Sequence, residues 1–327
     1  MMTLIRGSGE RLATALLISI ITGPAMSQVD YPSKPIRMVV GLAAGGAVDL
    51  TARRLANKLT EYLRVQIVID NKPGANGIVA HDLVARSQPD GYTLVFNSGS
   101  LVQGHAIAKK INYDPIKDFT PVILFSKTPL TIVVNAANPV KDMADFIALA
   151  KQSPGKLSYG TAGTGNITHL AGLLFLQNVG ISAGHIPYKG SGPALVDLMG
   201  GQIDYSIASV TSISALVRDN RLKPLALMSD RRSPALPDLV TFKEVGISNL
   251  EVSSWVGIMG PAKMPADRVL VLNAAVRKAL QHPDLHSALA RDGTEPLGSS
   301  PEQYARFMAE ELQRWTRIVV SNRISAD

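Results

Sequence analysis

Twice in this chain a short apolar run gives way to small residues and glycines and then to helical periodicity, and this repeat restricts the fold more than any other feature. The first occurrence is Ile36 to Leu55. Its apolar residues from Ile36 to Val40 predict a strand, Gly41 to Gly46 a tight loop, and the following residues a helix with Leu50, Leu55 and Leu59 on or near one face. Asp49 lies where that helix begins, as an N-cap or as a first-turn carboxylate facing the free backbone donors. Gly45 and Gly46 let backbone approach whatever lies above the loop, with N–H groups pointing outward. Such a loop either binds an anion or merely connects a strand to a helix. The second occurrence is a strand over Leu157 to Gly160, a loop Thr161-Ala-Gly-Thr-Gly-Asn166 and a helix from about Ile167 to Asn178.

Between these landmarks strands and helices alternate. Val65 to Ile69 is a strand, Asp70 to Gly77 a loop of turn formers, Ile78 to Arg86 a helix, and Tyr92 to Phe96 a third strand ending in Asn97-Ser98-Gly99-Ser100. Val122 to Phe125 and Thr131 to Val134 read as two strands parted by Lys127-Thr128-Pro129, and Asp142 to Lys151 as a helix. A second series continues with strand Gly184 to Tyr188, loop Gly190-Ser191-Gly192, helix Pro193 to Met199, and strands Ile203 to Ala208 and Pro224 to Met228. A strand from Ser253 to Met259 precedes three helices, Asp267 to Leu280, Asp284 to Asp292 and Pro301 to Ser321. With no strand series of their own, these helices most simply cover the first domain. The order predicts an α/β fold of two doubly wound, mostly parallel sheets flanked by helices, with ligands outside the carboxyl ends of the strands. Residues 28–127 and 252–327 form lobe 1, and residues 128–251 form lobe 2. Each lobe contributes a glycine-rich loop to the cleft between them.

Residues 1–27 stand apart from the fold. Arg6 and Arg11 precede an apolar run, Leu12 to Ile21, and Ala25-Met26-Ser27 places small residues where a signal peptidase cuts. That run of about ten residues is short of the ~20 needed to span a bilayer. The expectation is an exported periplasmic protein cleaved after Ser27, with an uncleaved anchor as the alternative. There is no cysteine, so disulfides, thiolate chemistry and zinc–thiolate sites are excluded. The net charge of +7 is scattered over pairs such as Arg53-Arg54 and Arg231-Arg232, with only 5% aromatics, which argues against a nucleic-acid surface.

Catalytic signatures are missing. Thr168 stands where a dinucleotide fingerprint has its last glycine, and the chain has no phosphate-binding P-loop, no G-x-S-x-G elbow and no H-E-x-x-H zinc motif. Ser98, Ser100 and Ser191 therefore read as hydroxyl donors, and His282 and His286, with Pro283 between them, as an exposed helix start. His169 either donates to a ligand or caps a carbonyl. Asp204 either orients loop donors and meets a ligand amine or forms a strand-end turn, and Trp255 either lies in the core or walls the cleft with its indole N–H available. Neither glycine loop contains Lys or Arg. An anion there is held by backbone N–H groups, by hydroxyls such as those of Ser98, Thr161 and Thr164, and by water.

A dozen short motifs, in order along residues 28–327, carry a family resemblance. Among them are Tyr31-Pro32, Ala44-Gly45-Gly46 with Asp49, Asn71-Lys72-Pro73-Gly74-Ala75, Pro89-Asp90-Gly91-Tyr92, Tyr113-Asp114-Pro115 and Pro154-Gly155-Lys156-Leu157. Gly163 to His169, Pro187-Tyr188-Lys189-Gly190, Gly200-Gly201-Gln202-Ile203-Asp204, Leu236-Pro237-Asp238, Ser254-Trp255 and Arg314-Trp315 follow. The chain resembles the Bug family, the periplasmic solute-binding receptors of tripartite tricarboxylate transporters. The resemblance implies a two-lobed flytrap that closes on a small carboxylate and presents it to a tripartite tricarboxylate-type membrane permease. The missing motifs add the expectation of no cofactor, metal or catalytic step, and a monomer is the simplest expectation for a diffusing receptor. It also implies that one carboxylate meets Thr161, Gly163, Thr164, Gly165 and Asn166 while the other end approaches Ala44, Gly45 and Gly46. Two departures stand out: Gly41-Leu42-Ala43 replaces the family's Pro-Phe-Pro, and Gly104-His105 replaces a frequent Asn-Pro. A ligand sensor serving a histidine kinase is the alternative among binding proteins, and a periplasmic hydrolase or lyase the alternative of another class.

Overall fold

A computed structural model describes residues 31–42, 44, 47–107 and 111–321. The expected signal peptide, and Gly45 and Gly46 of the first loop, lie outside the described residues. The first series comprises β1 (Ile36–Val40), α1 (Ala47–Leu63), β2 (Ile67–Asn71), α2 (Ile78–Ala85), β3 (Thr93–Ser98) and α3 (Ser100–Ile107). β1 lies between β2 and β3 and runs parallel to both, with Met38 opposite Ile69 and Leu94. β4 (Phe119–Asn135) and α4 (Met143–Gln152) follow, the helix capped by the Asp142 carboxylate, which accepts the Asp145 N–H. The second series is β5 (Ser158–Thr161), α5 (Ile167–Val179), β6 (Gly184–Pro187), α6 (Ser191–Met199), β7 (Tyr205–Ser209), α7 (Val210–Arg218) and β8 (Leu222–Leu227). β5 lies between β6 and β7, parallel to both. The chain ends with β9 (Ser253–Pro261), α8 (Ala266–Leu280), α9 (Pro283–Arg291), β10 (Glu295–Pro296) and α10 (Pro301–Ser321).

The strands join in the order β2-β1-β3-β9-β4-β7-β5-β6, with β8 and β10 also on β4. Two parallel trios are thus connected through antiparallel β9 and β4, which makes the sheet mixed rather than mostly parallel. The sequence predicts two strands where β4 is one. From Phe119 to Pro129 it pairs with β9, and from Leu130 onward with β7 and β8. Pro129 lacks a donor, but it sits where the ladder changes partner, so the chain stays extended through it.

Packing explains one mismatch in α1. Ala52, Leu55, Ala56 and Leu59 are fully buried, whereas Leu50 is 47% exposed. Five positions from Leu55, Leu50 is rotated by roughly 140° at 3.6 residues per turn and faces water. The buried stripe packs with Val269, Leu272 and Val276 of α8 and Leu285 and Leu289 of α9 against one face of β1. Tyr304, Met308, Trp315 and Val319 of α10 join Ala80, Val84, Leu101 and Val102 of α2 and α3 in a second cluster. His282 caps α9, its Nδ1 accepting the Asp284 N–H. No helix among the described residues is long and apolar enough to cross a membrane.

Candidate functional site

Register places the site. Ser98, at the carboxyl end of β3, lies opposite Val256 of β9, and Val256 lies opposite Ser126 of β4. Ser209, at the carboxyl end of β7, lies opposite Leu130 of the same β4. Both parallel trios therefore aim their carboxyl ends at residues 126–130 of β4 from opposite directions, which is where open α/β sheets form a binding crevice. A cavity of about 40 Å³ occupies the crossing and is lined by the hydroxyl-bearing residues Ser126, Thr128, Ser209, Thr211, Ser254 and Thr294, with Trp255 and Val256 of β9 and Val48 and Thr51 of α1. Thr294 links the two halves: its Oγ1 lies 2.9 Å from Thr128 Oγ1 and 3.1 Å from Thr211 Oγ1, and Thr211 also donates to the Asp292 carbonyl at 2.8 Å. Sequence reasoning missed this floor because its residues come from five separate segments. The one local signal is Ser209-Val-Thr-Ser212, in which Ser209 caps α7 by accepting the Ser212 N–H.

The first loop is braced from beneath. A Cβ on Gly41 would come within 2.9 Å of the Gly77 Cα, so a glycine is required for that close approach. Asn71 donates through Nδ2 to the Leu42 carbonyl at 3.1 Å and to Asp49 Oδ1 at 2.9 Å, while Arg53 Nε donates to Asp49 Oδ2 at 3.0 Å. Asp49 is buried inside the first turn of α1, where a carboxylate complements the helix dipole. Both of its oxygens are engaged by protein donors, so it supports the loop from within. Ala44 is exposed at the turn above it. Ser98 and Ser100 share a hydrogen bond of 3.0 Å between their hydroxyls at the entrance to α3.

The second loop is tied to itself and to the helix it opens. Asn166 caps α5, its Oδ1 accepting the Thr168 N–H at 3.1 Å and the Thr168 hydroxyl at 3.2 Å. Thr168 Oγ1 in turn accepts the Ala162 N–H at 2.9 Å, and the Asn166 N–H donates to the Gly163 carbonyl at 3.2 Å. Gly165 has φ +72°, a left-handed conformation that favours glycine, and its N–H donates to His169 Nδ1 at 3.1 Å. Four N–H groups of the loop, those of Ala162, Gly163, Gly165 and Asn166, are therefore bonded within the protein, and Thr164 stands exposed at the tip. The buried Thr161 places its Oγ1 2.7 Å from Nε2 of His185 on β6. Burial lowers the pKa of His169, and burial together with His169 pushes His185 down to about 4, so both rings are neutral at pH 7.

One expected contributor is engaged elsewhere, and another is shared between core and cavity. Asp204 accepts the Ser158 N–H at 2.7 Å and the Ser158 hydroxyl at 3.0 Å. Ser158 begins β5 and Thr161 ends it, so Asp204 ties strand starts at the end of the sheet opposite the loops, the turn-forming alternative. Trp255 is a core residue, 2% exposed, whose indole N–H donates to Glu311 Oε2 at 3.0 Å. It packs toward α10 through that bond and also borders the cavity over β4, so the core and cleft-wall alternatives both hold in part. The His169 result is also specific, since its Nδ1 accepts a backbone N–H and does not cap a carbonyl.

Against this geometry, the family description "tripartite tricarboxylate transporter family receptor" matches residues 51–323, most of the chain. The chain belongs to that receptor family. BugT of Bordetella pertussis is 34% identical over 94% of this chain and 96% of its own length. Among solved structures, a periplasmic transporter superposes with TM-score 0.85 at 36% identity, covering 91% of this chain and all of the other. A protein of R. palustris solved with adipate gives TM-score 0.85 at 33% identity, covering 90% of this chain and 99% of the other. MatC of Rhodopseudomonas palustris with bound malate gives 0.80 at 31%, covering 88% of this chain and all of the other. The receptor family has the periplasmic-binding-protein fold, and this chain shares it.

Proposed function

We propose that this receptor captures a small carboxylate in the crevice over β4 residues 126–130 and delivers it from the periplasm to a tripartite tricarboxylate-type permease, with no catalytic step. The observation that carries the reading is the convergence of both trios' carboxyl ends on one short stretch of β4. Relatives solved with adipate and malate supply the ligand class. In this reading residues 28–127 and 252–327 move as one lobe and residues 128–251 as the other, hinged where β4 and β9 cross. Ligand contacts from both lobes then shift an open–closed equilibrium.

Ala44, Gly45, Gly46, Ser98 and Ser100 serve the ligand from one side, and Thr161, Gly163, Thr164, Gly165 and Asn166 from the other. Because most loop N–H groups are already bonded, hydroxyls, the Thr164 tip and water make the first contacts. The test is a melting screen of the refolded chain against di- and tricarboxylates, acidic amino acids and aromatic acids. A ligand at ~100-fold its dissociation constant contributes ~2.7 kcal/mol, which shifts the midpoint measurably. A saturable shift from a carboxylate with no product formed supports the reading, and shifts only from neutral or cationic compounds reject it. Delivery is tested by carboxylate uptake in cells carrying the permease with and without this chain.

A further inference from the structure

Two histidines from different elements meet behind the second loop. The rings of His169 on α5 and His185 on β6 stack with centroids 4.0 Å apart and planes 13° from parallel. Each holds one end of the loop, His185 through Thr161 Oγ1 and His169 through the Gly165 N–H. The two bonds respond differently to a proton. His169 needs a bare Nδ1 to accept from Gly165, so protonation there breaks the bond. A protonated His185 still donates from Nε2 to Thr161 Oγ1, and the Thr161 hydroxyl proton is then free to point outward.

Charges on both stacked rings would repel strongly, so the pair takes up one proton, and His185 is the ring whose bond survives it. Among the described residues, the groups packed on the pair add no competing charge. From β5 come Thr161 and Tyr159, whose ring lies 5.1 Å from His185, and Tyr205 of β7 stacks behind Tyr159. Among the described residues, His169 is the one titratable neighbour that acts on His185, and none acts on His169. The loop itself has neither Lys nor Arg.

We propose that anion capture at this loop is proton-coupled: as a carboxylate settles on Thr161 to Asn166, His185 takes one proton from solvent and donates it as a hydrogen bond to Thr161 Oγ1. His185 is then a positioning residue, supplying positive charge to the ligand through Thr161. The inference rests on the loop being a carboxylate site.

The experiment is calorimetric titration of the chain with malate and with adipate at pH 8 and pH 6, in buffers of different ionisation enthalpy and corrected for the probes' own titration. In parallel, NMR of the histidine ring carbons is followed through the same pH range, free and bound. If bound His185 titrates near the ordinary 6.5, affinity rises about fourfold from pH 8 to pH 6, with net proton uptake at pH 6. H185Q retains an N–H donor for Thr161 but no titratable charge, and its affinity becomes flat with pH. The wild-type NMR titration decides the matter even if that variant folds poorly. Binding with equal affinity at both pH values and no uptake overturns this inference alone. Failure of every carboxylate in the melting screen, malate and adipate included, to bind overturns it together with the carboxylate reading.

Discussion

Thr168 is the side chain that shapes the second loop from beneath, and T168V removes its hydroxyl while keeping its volume. At 4% exposure, the substitution opens no cavity and leaves no room for water to substitute. Two hydrogen bonds are lost, the 2.9 Å bond from the Ala162 N–H and the 3.2 Å bond to Asn166 Oδ1. The first dominates, because the part-buried Ala162 N–H is left without an acceptor, at a cost of ~1–3 kcal/mol. The Asn166 cap keeps its bond from the Thr168 N–H, so the second loss adds less than ~1 kcal/mol. Urea unfolding of the two proteins measures the sum, expected at ~1–4 kcal/mol with an unchanged denaturant slope. Thr168 lies under the loop, so affinity for a bound carboxylate should also fall, by about tenfold for each 1.4 kcal/mol spent reforming the loop. A T168V protein with wild-type stability and wild-type affinity would refute the claim that this hydroxyl organises the loop.

Further perturbations probe other parts of the account. Both indole N–H groups of the chain's two tryptophans donate to Glu311 Oε2, at 3.0 and 2.9 Å; E311L should destabilise by ~2–4 kcal/mol and change the tryptophan emission of the folded protein. Gly41→Ala forces a Cβ to within 2.9 Å of backbone at Gly77 and should lower the melting midpoint. Asp204→Ala should cost under ~1 kcal/mol, because its bonds to Ser158 are exposed, and should leave carboxylate affinity intact. Burial holds the pKa of His81 down to about 3 against 6.5 when unfolded. The unfolded chain then binds the extra proton between those values, and stability falls as pH drops through that window. The share from His81 is about 2 kcal/mol between pH 7 and pH 5, read as the difference in pH dependence between wild type and H81Q.

Much of the fold was legible because strand, loop and helix periods are local signals. α8, α9 and α10 begin and end within two residues of their expected bounds. α7 has no sequence signal because it starts directly at the end of β7, and α3 is separated from β3 by Gly99 alone, in a stretch whose small polar residues read as loop. The misreading of β4 has the same root as the missed crevice floor. Pro129 looks like a break in sequence, and only the change of ladder partner, a non-local fact, shows why the strand continues. The second loop was recognised from its composition, yet His185, which holds Thr161, lies 24 residues away on an edge strand and carries no local signature. Asp204 and Trp255 were visible as candidates, but the end of the sheet and the face of β9 they occupy depend on pairing that one-dimensional patterns do not encode.

The central claim is that one small carboxylate is held between the two sets of strand ends above β4. A crystal structure of the chain with the carboxylate that most raises its melting midpoint tests this directly. The account predicts a ligand oxygen within hydrogen-bond distance of the Thr161 to Asn166 loop and the opposite end of the ligand facing the loop at Ala44 or the Ser98 and Ser100 hydroxyls. A carboxylate bound outside that crossing, or touching the second series alone with the first loop turned away, would contradict it.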